Sequence, residues 1–167
     1  MKKTTIAMLF LLCSIRTFSQ DVKRSIGLGL QSSFPLYGIS AKYAFTEQSV
    51  VQATIAPFGA SAGSVGYSVN FFGARYIHRF IKESESNVIF DPYLYAGTGM
   101  VVWKLKYGSL GSSSSSFLSY SVGGGVEMIA GKCFGISGEV GYGRLGFSNG
   151  IALTSMHIGG GLHYYIR

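Results

Sequence analysis

The chain has 167 residues, including 24 glycines and only 3 prolines, with 13% charged residues, 14% aromatics and a formal net charge of +7. Glycine stands at twice its usual ~7% share and charge at about half its usual ~25%. A disordered chain would carry few aromatics and high net charge, a collagen a strict glycine period with much proline, and a helical bundle far fewer helix-breaking glycines. What remains is a single β-rich domain with an unusually apolar surface.

The first segment reads as an address. Lys2 and Lys3 precede an apolar run from Ile6 to Ile15, and the small residues Thr17 and Ser19 stand three and one positions before the Ser19–Gln20 bond. That order is a secretory signal peptide over 1–19, cleaved to leave a domain over 20–167. The apolar run is too short for a transmembrane helix, which needs about 20 residues. Leu12 stands where a lipobox would place a small residue before Cys13. Removing the leader leaves 11 Lys and Arg against 7 Asp and Glu, a balance of +4. The remaining cations are scattered, which argues against a nucleic-acid partner. Cys133 is the one cysteine left, so no internal disulfide forms.

From Ser25 onward, apolar residues recur at every second position, the strand period. The first strand sets Ile26, Leu28 and Leu30 on one face, and the second sets Ile39, Ala41, Tyr43 and Phe45 opposite Ser40 and Lys42. The third covers 51–55. The fourth, within YSVNFFGARYIHRF, sets Phe72, Ala74 and Tyr76 against Gly73 and Arg75. In the fifth, Leu94, Ala96, Met100 and Val102 oppose Tyr93, Tyr95, Gly97 and Gly99. The sixth opposes Leu118, Tyr120, Val122, Val126 and Met128 to Ser119, Ser121, Gly123, Gly125 and Glu127. The seventh opposes Phe134, Ile136, Val140 and Tyr142 to Ser137, Glu139 and Gly141. The eighth opposes Ile158, Leu162, Tyr164 and Ile166 to His157, Gly159, Gly161, His163 and Tyr165. Between strands, Thr46–Gln48, Lys82–Asn87 and Ala130–Lys132 read as short turns. Ser32–Gly38, Pro57–Gly66, Lys104–Ser116 and Arg144–Gly150 read as longer loops, with Ser112 to Ser116 a flexible, solvated tip.

These features predict an all-β fold, an eight-stranded antiparallel up-and-down transmembrane β-barrel. Eight strands leave about 18 residues for each strand with its connection, enough for the roughly 9–11 a spanning strand needs. Closure is required because lipid cannot satisfy an open strand edge. A soluble lipocalin-like barrel would be charged outside. Here the ionisable groups Lys42, Arg75, Glu127, Glu139, His157 and His163 share the other face, where they form a lumen polar network. The lipid-facing set is then Ile26, Leu28, Leu30, Val122, Val126, Ile158, Leu162, Tyr164 and Ile166. Inward glycines make room in a barrel just wide enough to be filled by side chains. Tyr43, Phe45, Phe80, Phe90, Phe134 and Tyr164 would form one interfacial girdle, and Tyr37, Tyr67, Trp103, Tyr107, Phe117 and Phe147 the other.

The segments GARYIHRF, DPYLYAGTG, GISGEVGYG and the terminal GGGLHYYIR resemble the small eight-stranded outer-membrane barrels of the OmpA/OmpX-type superfamily, and more closely the glycine- and tyrosine-rich outer membrane protein beta-barrel domain family. The resemblance covers essentially all of 20–167. It implies the outer membrane of a Gram-negative cell, outer-membrane lipid and surface or envelope proteins as partners, and insertion by the barrel-assembly machinery. That machinery reads a terminal strand in which Gly160, Leu162, Tyr164 and Ile166 keep the alternation while Arg167 departs from the usual aromatic ending.

Three chemistries compete for the inward residues. A satisfied network plugging the lumen agrees with the narrow bore; a narrow pore for small solutes would need that network to leave a passage. Some eight-stranded barrels are lipid A-modifying enzymes, and Ser155, His157 and Glu139 would be the nucleophile, base and carboxylate if the last hairpin turned near Ser148. No familiar catalytic spacing supports that set, and no enzyme activity is expected. His78, His157 and His163 lack metal-ligand spacing, so neither metal nor cofactor is expected. The Ser109–Phe117 segment is the largest candidate for contact with surface partners.

Overall fold

Alternating segments with one apolar face pair with their chain neighbours because each unpaired backbone donor and acceptor costs free energy. The structure, a computed structural model, describes residues 25–62, 65–80, 88–107, 111–131, 133–146 and 152–166. The signal-peptide reading, the Lys82–Asn87 turn and Phe147 lie outside the described residues. Eight strands form a barrel closed in chain order: β1 (Ile26–Ser33), β2 (Leu36–Ala44), β3 (Ser49–Ala62), β4 (Val65–Arg79), β5 (Val88–Tyr107), β6 (Ser112–Ala130), β7 (Phe134–Gly146) and β8 (Ala152–Ile166). All neighbours are antiparallel. β8 returns beside β1 from Ile26 opposite Ile166 to Ser32 opposite Gly160.

The strands are unequal in a way the alternation did not reveal. β1 and β2 have 8 and 9 residues, whereas β5 and β6 have 20 and 19. Three expected loops are therefore corrected. Ser32–Gly38 contracts to a turn at Phe34 and Pro35 between two paired strands. Pro57–Gly66 is mostly ladder, with Ala62 still opposite Val65. Lys104–Ser116 pairs from Val102 opposite Ser116 to Lys106 opposite Ser112, so the serine run is strand rather than flexible tip. Polar composition at these positions reflects contact with water; the ladder needs only backbone groups, which serine and lysine supply as well as valine.

The outer face of the barrel is a belt of exposed apolar side chains. Ile26, Leu28, Leu30, Val122, Val126, Ile158, Leu162 and Ile166 all stand on it, Ile158 at 87% exposure, and Tyr164 is half-buried. Tyr43, Phe45, Phe80, Phe90 and Phe134 ring the end that holds the start of β1 and the end of β8. The second girdle is a correction. Tyr67, Trp103 and Tyr107 alternate in phase with the inward Tyr93, Tyr95 and Arg75, with no register break between. They lie on the concave side of the β3–β6 extension beyond the barrel wall, not on its outer face.

A charge-balanced lumen under a three-residue cap

Inside the barrel the six polar residues read from the alternation all lie on the inner side: Lys42, Arg75, Glu127, Glu139 and His163 are buried and His157 is half-buried. They gather around two carboxylates, and His163, with Nδ1 3.9 Å from Glu127 Oε1, bridges the two groups. A buried charge needs a partner because desolvation is costly, and the partners split into two groups at different heights.

Nearer the terminal end, Glu127 on β6 is the hub. Lys42 Nζ donates to its Oε1 at 3.0 Å and Tyr165 Oη donates to the same oxygen at 2.8 Å. Arg79 reaches its Oε2 at 3.5 Å and forms a closer pair, Nε to Asp91 Oδ2 at 2.8 Å. The Arg79 guanidinium lies 5.9 Å from the centre of the Tyr165 ring.

Further in, Glu139 on β7 holds Arg75 in a two-pronged clamp: Nη1 donates to Oε2 at 2.7 Å and Nη2 to Oε1. Tyr93 Oη and Gln31 Nε2 donate to the same carboxylate at 2.6 and 3.2 Å. Arg75 Nε donates to Gln52 Oε1 at 2.7 Å, and its guanidinium lies 4.6 Å from the centre of the Tyr95 ring. Gln52 Nε2 donates to Gln31 Oε1 at 3.0 Å and to Ser40 Oγ at 2.6 Å. Ser40 Oγ and His163 Nε2 stand 2.9 Å apart. Lys42, Arg75 and Arg79 thus face Asp91, Glu127 and Glu139, a neutral balance among the described residues.

Arg79, Asp91, Tyr93, Tyr95, Tyr165, Gln31 and Gln52 were not among the expected network. Each lies in phase with an inward neighbour, Arg79 four residues after Arg75 and Gln52 opposite it. Extending the same parity to every polar side chain would have found them.

Above this network lies a cap that no sequence feature announced. The β1–β2 turn bends into the bore. Leu36 is fully buried and Pro35 is buried. Three strands accommodate the turn with glycine. A Cβ on Gly73 would meet Leu36 Cγ at 2.9 Å, one on Gly99 would meet Pro35 Cβ at 2.9 Å, and one on Gly143 would meet Phe34 Cδ1 at 2.6 Å. The Phe34 ring also packs on His157, with centroids 5.7 Å apart.

Ser155, His157 and Glu139 do not assemble into a relay. His157 Nε2 faces Tyr95 Oη at 2.8 Å, Glu139 is occupied by Arg75 and Tyr93, and the exposed Ser155 Oγ donates to the Met156 carbonyl. The last hairpin also differs from the expected register: Glu139 stands opposite Gly159, and His157 opposite Gly141. Among the described residues, no group of three or more His, Cys, Asp or Glu is placed to hold a metal ion.

No family model and no curated protein matches the chain. Solved structures do. The N-terminal β-barrel domain of Pseudomonas aeruginosa OprF is similar at a TM-score of 0.59 and 16% identity, over 86% of this chain and 98% of that one. Neisserial surface protein A (NspA) is similar at a TM-score of 0.50 and 20% identity, over 84% and 92%. At these identities the likeness speaks for architecture. With its closed ring of eight antiparallel strands and apolar outer belt, the chain has the fold of the small eight-stranded outer-membrane β-barrels.

Proposed function

We propose that this chain is an integral outer-membrane barrel of a Gram-negative envelope, with a structural or surface role and a lumen closed to solutes. What supports this reading is the inward set of three cations and three carboxylates, balanced in charge, with Phe34, Pro35 and Leu36 seated above it against glycines on three strands. The outward belt, Leu28 and Leu162 included, meets outer-membrane lipid, because no soluble protein gains by leaving so many large apolar side chains in water. The barrel-assembly machinery would insert the chain by its β8 strand. No catalytic role is assigned, since the inward His157 and Glu139 are spent on packing and ion pairing.

The test is conductance of the purified chain in planar lipid bilayers. The filled bore gives no stepwise current at moderate voltage. Regular unitary steps would replace this reading with that of a narrow pore. Release of labelled acyl chain from lipid A by the folded barrel would replace it with that of an enzyme.

A further inference from the structure

The height of each outward side chain follows from the stagger of the strands. Followed from Leu162 through β1 and on to β7, the row of opposite residues returns to β8 at Ala152, ten residues away. A ten-residue stagger over eight strands tilts them by about 40°, so ten residues climb about 25 Å along the barrel axis. The apolar band of an outer-membrane barrel is about 25 Å tall. Phe134, in the aromatic ring at the terminal end, and Arg144 are both outward on β7 and ten residues apart. Arg144 therefore stands at the far rim of the band. On β5, Lys104 and Lys106 lie 14 and 16 residues beyond Phe90 of the same ring, which puts them about 10 and 15 Å past that rim.

Among the described strands, the outward face carries Asp, Glu, Lys or Arg at these three positions, and all three are cations. Each is exposed, and among the described residues none pairs with a carboxylate. No Asp or Glu occurs in 28–41, 53–74, 98–122 or 140–157, the segments that make this end of the barrel. Glu47, Glu83 and Glu85 fall instead between β2 and β3 or between β4 and β5, at the terminal end. The concave side of the same extension carries Phe58, Tyr67 and Trp103 and no charge. Arg144 also has neighbours suited to an interface. Tyr120 and Thr154 stand opposite it on the flanking strands and Tyr142 lies two residues below, all of them exposed. A tyrosine there keeps its ring in hydrocarbon and its hydroxyl among headgroups, and an arginine stem lies along such rings while its guanidinium reaches the same layer.

We propose that the outward wall of β5–β7 binds a lipid with a phosphorylated headgroup, in the leaflet at the end of the barrel far from the chain termini. Arg144 takes a headgroup phosphate at the rim, because its planar fork matches phosphate oxygens in pairs. The hydroxyls of Tyr120, Tyr142 and Thr154 surround that phosphate, and the acyl chains lie below on Val140 and Ile158, which are exposed and opposite one another. Lys104 and Lys106 meet anionic groups of the same headgroup layer farther from the hydrocarbon. Charge complementarity carries the choice of partner: three cations on the lipid side, with no carboxylate at that end, face a layer of phosphates. The inference rests on the placement of the apolar belt in the membrane, and adds the headgroup chemistry that the rim selects.

The folded full chain in non-ionic detergent micelles is equilibrated with lipid A bearing two phosphates and, separately, with the same lipid stripped of both. Native mass spectrometry counts the lipid retained per barrel. The phosphorylated lipid binds about tenfold more tightly. Arg144→Gln loses about fivefold of that affinity, and Lys104→Gln with Lys106→Gln about as much, whereas Arg144→Lys keeps part of it. Glu47→Gln, a charge change at the opposite end, leaves retention unaltered. Heat-modifiable gel migration checks that each variant is folded. Equal retention of the two lipids, or full retention by folded Arg144→Gln, overturns the proposal. Displacement of the lipid by an equal concentration of inorganic pyrophosphate also overturns it, by making the surface a site for soluble phosphates. Insertion of the native chain into phosphatidylcholine vesicles is read alongside by protease protection. A chain that inserts and shows no preference sinks this proposal alone; a chain that does not insert sinks the membrane reading with it.

Discussion

Replacing Glu139 by alanine removes the acceptor on which the inner half of the lumen turns. The carboxylate receives both Nη groups of Arg75, the Tyr93 hydroxyl and the Gln31 amide. The Arg75 and Glu139 side chains are each 0% exposed. Arg75 would keep only Gln52 and the Tyr95 ring, leaving a buried cation without its counter-charge. Removing one partner of a buried pair costs about 3–5 kcal/mol. Replacing both with apolar residues, Arg75→Met with Glu139→Leu, removes the orphaned charge and costs much less than the sum of the two single changes. A double-mutant cycle on urea unfolding in lipid vesicles, followed by heat-modifiable electrophoresis, reads the coupling directly. A Glu139→Ala barrel within about 0.5 kcal/mol of the native one, or single changes that simply add, would refute the view that this clamp holds the lumen together.

Gly99→Val forces a side chain into the space held by Pro35 and destabilises the barrel by about 1–3 kcal/mol. Gly138→Val, on the outer face with nothing within 4 Å, stays within about 0.5 kcal/mol; equal effects in the same unfolding assay would discount the cap. Arginine at Leu28 or Leu162, both exposed on the apolar belt, lowers the yield of folded barrel in vesicles and costs about 2–4 kcal/mol if that part of the belt lies near the bilayer midplane. An unchanged yield would contradict lipid contact there. If the ion network of Lys42, Glu127, Arg75 and Glu139 closes the bore as proposed, shortening the cap by Phe34→Gly with Leu36→Ser leaves the bilayer current at zero; a current appearing in this variant alone would place the seal in the cap.

Strand number, strand facing and the closed all-β architecture were legible in the chain, because period-two alternation is a local property. Within the barrel wall a strand residue shows its side through its immediate neighbours, and the contrast between Leu28 and Lys42, or Val140 and Glu139, follows from that alone, whereas Tyr67, Trp103 and Tyr107 beyond the wall lie on the side opposite to the one expected. Pairing is not local. Arg75 meets Glu139 across the bore, 64 residues away in sequence, because the stagger of the strands sets both at one height. Glu139 therefore joins Arg75 rather than His157, two residues off the expected register. The serine run misled for a related reason. Its polarity correctly marked contact with water but said nothing about the ladder, which backbone groups make. The inward turn at Phe34–Leu36 depended on more still. Gly73, Gly99 and Gly143 lie on three separate strands, and they become one notch only when closure of the barrel sets them around the same turn.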